Sequence, residues 1–117
     1  MAIVVDVTYG TSPTVSPSES FPLGGGPALA AGPNIDPVIF DRLKSLAEDN
    51  GISYSVEVIP DNTGTDAWVI QVQAGGIPCG LVSIPLRYMH SHIETVSLED
   101  MESTVKLLTA FAKEACI

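Results

Sequence analysis

The sequence has few basic residues. Only five of its 117 residues are Lys or Arg, against 14 Asp or Glu, which gives a formal net charge of −9. The five also form no run, whereas a nucleic-acid site needs several cations that neutralise consecutive phosphates. We therefore expect no nucleic-acid partner.

Cysteines are few, and long apolar runs are absent. Cys79 and Cys116 are too few for a disulfide framework or a four-cysteine zinc site, so we expect both to be unpaired thiols. No stretch of about 18 uncharged apolar residues occurs, and no basic segment leads into an apolar one at the start. These absences predict a cytoplasmic protein without a membrane partner.

Signatures of nucleotide binding and of nucleophilic catalysis are missing as well. The segment "LGGGP" (23–27) resembles a phosphate loop only in its glycines, because no Lys-Ser/Thr pair follows it. No Gly-x-Ser-x-Gly turn occurs, and neither cysteine has a histidine nearby in the sequence. Metal chemistry is the best remaining option.

The composition is that of one globular domain, residues 1–117, with 45% apolar and 16% charged residues. Strands and helices are predicted to alternate, which favours an α/β sheet flanked by helices. One assignment stays open: residues 67–74, "AWVIQVQA", fit either part of a helix or a strand. The predicted strands are 2–9, 28–34, 53–60 and 77–86, and the predicted helices are 36–51, a segment from about 65 to 76, and 97–115.

Local signals refine these elements. The first strand is unbroken and β-branched, as in a strand buried on both faces of a parallel sheet. In the first helix, Asp36 is the expected N-cap, Pro37 the first helical residue and Gly51 the stop. An apolar stripe is expected along that helix, at Val38, Leu43, Leu46 and Ala47. In the second helix, Ala67, Ile70 and Ala74 share one face, and Gly75-Gly76 is the expected stop. Ser97 and Asp100 resemble a capping box with Asp in place of Glu.

Asp6 and His90 are the main candidates for chemistry. A carboxylate inside an apolar strand is costly unless it is paired, hydrogen-bonded or metal-bound, so Asp6 is either a metal or catalytic group or a buried Asp satisfied by backbone donors. His90 follows an apolar strand, and imidazole is a common ligand of transition metals. His92 forms a His-x-His pair with it, although an irregular stretch around Ser91 argues against convergence.

Thr65 and Asp66 form a second candidate, at a turn that leads into a helix. The segment "TGTDA" (63–67) offers backbone N–H groups and hydroxyls that could position an anion or an active-site loop. The alternative is that Thr65 or Asp66 simply caps the helix.

The chain resembles the C-terminal part of the TET (tetrahedral) aminopeptidases, also known as glutamyl or deblocking aminopeptidases and cellulase-M-like proteins. The resemblance covers nearly all residues in order, through "AIVVDVTYGTSP" (2–13), "LGGGPALAAGPNIDP" (23–37) and, most specifically, "GIPCGLVSIPLRYMHSHIETVSLEDME" (76–102). It implies a zinc-peptidase-like (phosphorylase/hydrolase-like) α/β sheet with flanking helices, of which this chain forms part.

The resemblance also implies a site with two divalent metal ions, zinc or cobalt, and a peptide substrate. By motif, Asp6 in "VVDVT" is a ligand of one metal and His90 in "RYMHS" a ligand of the other, while His92 falls where the family commonly has proline and inherits no role. Thr65, Asp66 and Arg87 are expected to bind or position substrate. Tyr9 stands where the family often has histidine.

The resemblance also implies that the other metal ligands and the general-base glutamate of the family lie upstream of the segment that this chain matches. We therefore expect the isolated chain to bind metal weakly and to be inactive, because a catalytic zinc normally takes three protein ligands. The first hypothesis is a segment of a two-metal aminopeptidase. The alternative is a non-enzymatic α/β fragment that persists as a homo-oligomer, and an endoglucanase activity ranks third, since no convincing carboxylate pair is visible.

Overall fold

A mixed five-stranded sheet with helices packed against it forms the centre of the molecule, in a computed structural model that describes residues 1–115. Two short 3₁₀ turns, Pro17–Glu19 and Gln73–Gly75, lie in the connections. The elements in chain order are β1 (Ala2–Tyr9), β2 (Ala28–Ala31), α1 (Pro37–Asp49), β3 (Ser55–Val58), α2 (Asp66–Ile70), β4 (Cys79–Arg87), β5 (Thr95–Val96) and α3 (Leu98–Ala115).

The strand order is β1-β4-β2-β3, with the two-residue β5 also paired to β4. β1 runs parallel to β4, whereas β2 runs antiparallel to β4 and parallel to β3. The predicted α/β sheet with flanking helices is confirmed. The expectation that the first strand is buried on both faces is wrong, because β1 lies at the sheet edge and its Val5 and Tyr9 are about half exposed.

The two faces of the sheet differ in character. Leu29 and Val82 pair across β2 and β4 and belong to the main core, whose other members come largely from the helices; we call this side the helix-packed face. The opposite side, which we call the polar face, carries Asp6, Thr8, Ser83 and Glu57. It also holds a smaller apolar cluster, in which Ala30 and Leu81 pack with Ala67 of α2. The helical and loop residues of the main core are Ile39, Leu43, Leu46, Ala47, Ile52 and Leu107.

The predicted start and stop of α1 are confirmed. The Asp36 carboxylate caps the helix by accepting hydrogen bonds from the backbone N–H groups of Val38 and Ile39, at 2.9 and 3.1 Å. Gly51 follows the helix with a φ of +63°, a left-handed conformation that favours glycine. The predicted stripe is wrong at one position, since Val38 is 75% exposed and Ile39 takes its place in the core.

The second helix is shorter than predicted. α2 ends at Ile70, and Ala74 lies beyond it with a φ of +51°, followed by Gly75 and Gly76, which also have positive φ. These left-handed residues reverse the chain before β4. The expectation that Ala74 shares a helix face with Ala67 is therefore wrong, and so is the alternative of a strand over residues 67–74.

The Asp100 carboxylate does not act as the predicted capping-box partner of Ser97. It is fully buried, and its two oxygens accept hydrogen bonds from the backbone N–H groups of Gly24 and Gly26, both at 2.8 Å. The first turns of α3 are thereby fastened to the glycine-rich loop that precedes β2.

Two further expectations concern cysteines and membranes. Cys79 is a buried free thiol, as predicted, whereas Cys116 lies outside the described residues. Over residues 1–115, every helix is too short or too polar to cross a bilayer.

Candidate metal centre

Asp6 lies within β1, opposite Ser83 of β4, and is half-buried. Its Oδ1 accepts a hydrogen bond from the backbone N–H of Val7, at 2.8 Å. The side chain points to the polar face, away from the helix-packed core. A carboxylate held in this way at the edge of the sheet is available as an oxygen ligand for a metal ion.

The same face carries a second carboxylate that the sequence did not mark. Glu57 of β3 accepts a hydrogen bond of 2.6 Å from the Thr8 hydroxyl, between residues 49 apart in the chain. Burial raises the pKa of the Glu57 carboxyl, and hydrogen bonding from Thr8 and Ser83 opposes that rise. Thr8 is two residues from Asp6, so Glu57 anchors the strand that carries the candidate ligand.

His90 follows β4 in an exposed turn of residues 88–94. Both Tyr88 and His90 have left-handed backbones, with φ of +62° and +63°. The backbone N–H of His90 donates to Glu94 Oε1 at 2.7 Å, and that of Ser91 donates to the Tyr88 carbonyl at 3.1 Å. Left-handed non-glycine residues are uncommon and tend to cluster at functional sites.

Two of the three residues expected to position substrate, Thr65 and Arg87, have visible structural tasks. Thr65 is the N-cap of α2, and its hydroxyl accepts a hydrogen bond from the Ala67 N–H at 3.3 Å. Asp66 is the exposed first residue of α2. Arg87 ends β4 and donates from Nε to the Thr11 carbonyl at 2.6 Å, which ties the long loop after β1 to the sheet.

Asp6 and His90 therefore lie on or just after two strands that pair in parallel, β1 and β4. Carboxylate and imidazole are suitable donors for zinc or cobalt. However, no group of three or more His, Cys, Asp or Glu side chains within residues 1–115 lies close enough to hold a metal ion. The described residues thus provide part of a ligand set.

The family model of the M42 glutamyl aminopeptidases matches residues 1–107. The chain therefore belongs to the M42 glutamyl aminopeptidase family. This agrees with the fold and with the resemblance found in the sequence.

Several similar proteins are named as aminopeptidases or peptidases, and one similar structure, from Thermotoga maritima, is named as an endoglucanase. A lysyl aminopeptidase of Pyrococcus furiosus is 37% identical over 114 residues, which covers 97% of this chain and 33% of that protein. An aminopeptidase structure from Desulfurococcus kamchatkensis superposes with a TM-score of 0.82 at 36% identity, covering 93% of this chain and 32% of that one. The TET1 peptidase of Pyrococcus horikoshii, described as assembling into a tetrahedron or an octahedral shell, gives a TM-score of 0.70 at 27% identity, with coverage of 94% and 32%. The chain thus spans about a third of the length of these proteins.

Proposed function

We propose that this chain forms the C-terminal part of the catalytic domain of a two-metal aminopeptidase that removes N-terminal residues from peptides. The observation that carries the proposal is the family match over residues 1–107, which includes both Asp6 and His90. In the proposal Asp6 binds one metal ion, zinc or cobalt, and His90 binds the other. A pair of such ions polarises the scissile carbonyl and lowers the pKa of a bound water.

The remaining ligands and the general-base glutamate are assigned to the part of the longer relatives that this chain does not match. Thr65 and Arg87 would then shape the substrate side of the site through the segments that they hold, and Asp66 would position substrate there. Their observed contacts support this indirect role, because Thr65 and Arg87 use polar atoms to cap a helix and to tie a loop. A cytoplasmic location belongs to the same proposal.

A chimera provides the direct test. The matching third of the Pyrococcus furiosus lysyl aminopeptidase is replaced by this chain, and release of N-terminal residues is measured with added cobalt or zinc. The chimera is expected to be active. Asp6→Asn or His90→Ala should reduce its activity at least a hundredfold, because removing even a group that only orients a metal ligand lowers activity or metal affinity about 10- to 100-fold. His92→Gln is the matched control and should retain activity. Full activity in the His90→Ala chimera would contradict the assignment.

The isolated 117-residue chain is expected to show no turnover, because its described residues supply fewer than the three protein ligands that a catalytic zinc normally takes. Peptidase assays of the chain with cobalt or zinc check this expectation. Turnover that His90→Ala abolishes would overturn it.

We also propose that the chain forms homo-oligomers. β1 is an eight-residue strand at the sheet edge, and Met1, Val5 and Tyr9 are 68%, 47% and 48% exposed. Apolar edge strands readily pair with other chains. Size-exclusion chromatography should therefore show a dimer or larger species, and a clean monomer at high concentration would argue against this second proposal.

A further inference from the structure

The turn that carries His90 has an unusual backbone for its sequence. Two of its residues, Tyr88 and His90, are left-handed, and neither is glycine. Such a conformation is disfavoured by contact between Cβ and the backbone, so neighbouring groups must hold it in place. The turn therefore needs an identifiable anchor.

Three hydrogen bonds close this turn, and only one of them is made by the backbone of His90. The Ser91 N–H donates to the Tyr88 carbonyl, and the Ser91 hydroxyl donates to the Ile93 carbonyl at 2.9 Å. The third joins the His90 N–H to Glu94 Oε1 at 2.7 Å, a charge-assisted bond across four residues. Glu94 is thus placed to fix the direction in which the imidazole leaves the backbone.

We infer that Glu94 is a positioning residue for His90: its carboxylate holds the left-handed backbone of His90 and so presents the imidazole to a divalent metal ion. The inference about the metal rests on the proposed function. Groups that orient a ligand contribute to metal affinity without touching the metal.

The test uses the 117-residue chain in a His92→Gln background. The sequence has two histidines, so this background leaves His90 as the single imidazole. NMR of this chain gives the hydrogen-exchange rate of the His90 amide without metal. The affinity for Co²⁺ is measured by calorimetry on the lysyl aminopeptidase chimera, which supplies the other ligands of the proposed site. The remaining amide signals report whether the fold is intact.

Glu94→Ala should speed exchange of the His90 amide in the isolated chain and weaken Co²⁺ binding by the chimera, each about tenfold. Glu94→Gln should keep both values within about twofold, because the amide oxygen can accept the same hydrogen bond. Glu102→Ala, which removes an exposed glutamate from α3, is the matched control for the loss of charge and should change neither.

Three results would overturn the inference. Unchanged amide exchange in Glu94→Ala would mean that the contact does not hold the backbone. A Glu94→Gln variant that loses as much Co²⁺ affinity as Glu94→Ala would mean that the carboxylate acts through its charge or as a ligand. Unchanged Co²⁺ affinity in His90→Ala would overturn the metal assignment of the proposed function, and with it the metal part of this inference, whereas the exchange experiment would still decide whether Glu94 holds the turn.

Discussion

The two faces of the sheet are built from the same strands but hold together by different means. On the helix-packed face, Leu29 and Val82 are fully buried among apolar side chains of α1 and α3. On the polar face, Thr8 and Ser83 are almost as deeply buried, yet Thr8 bonds to the Glu57 carboxylate. Buried polar groups require specific hydrogen-bond partners, and perturbed groups of this kind cluster at functional sites. We therefore expect functional residues on the polar face.

The largest expected effect belongs to the helix-packed face. Leu107→Ala removes a fully buried side chain and leaves a cavity, so the free energy of unfolding should fall by about 3 kcal/mol. Urea denaturation followed by circular dichroism measures the change. Val105→Ala, at a 62% exposed position of the same helix, should stay within about 0.5 kcal/mol of the parent. Equal losses of unfolding free energy in the two variants would contradict the burial of Leu107 and the exposure of Val105 on α3.

A smaller effect is expected on the polar face. Thr8→Val keeps the shape of the side chain but removes the hydroxyl that donates to Glu57, so it should cost about 1 kcal/mol of unfolding free energy. Thr109→Val makes the same chemical change at an exposed position of α3 and should cost less than about 0.5 kcal/mol. A neutral Thr8→Val variant would show that the hydrogen bond from Thr8 to Glu57 does not contribute to stability.

The smallest effect is a dependence on pH. Because the pKa of Glu57 is raised in the folded protein, its contribution to stability is present below the unfolded-state pKa and is lost as the pH rises through the folded pKa. Glu57→Gln removes this titration, so the variant should gain stability relative to the parent as the pH rises above the ordinary glutamate pKa of about 4.3. Urea denaturation at a series of pH values gives the difference, and Glu102→Gln serves as an exposed control. A difference that moves in the opposite direction would mean that Glu57 is stabilised in its charged form.

Much of the helix-packed face was predictable from the sequence, because its determinants are local. The cap at Asp36, the apolar spacing of Leu43 and Leu46 and the β-branched strands depend on neighbours a few residues away. One register error occurred, where Val38 was expected in place of Ile39. On the opposite face, the length of α2 was missed, since the left-handed conformation of Ala74 has no signal in its residue type.

The candidate site was predictable only in part. The motifs around Asp6 and His90 point to metal ligands through family resemblance, and these two roles stay predictions. Glu57 was missed because its partner Thr8 lies 49 residues away, on a strand whose direction relative to β3 depends on the sheet topology. Alternation in "SVEV" (55–58) is the signal that could have marked Glu57 as facing the same side as other polar strand residues. Glu94 was missed because its contact depends on the backbone conformation of His90.

The bonds between Asp100 and the glycine-rich loop give "LGGGP" a different meaning. Converging backbone N–H groups in such a loop form a receptor for an anion, which is why the motif resembles a phosphate loop. Here the anion is the carboxylate of Asp100, supplied by the same polypeptide 76 residues after Gly24 and 74 after Gly26. The loop is therefore an anion receptor whose ligand is a later part of its own chain, and that intramolecular ligand occupies the N–H groups that a free phosphate would need.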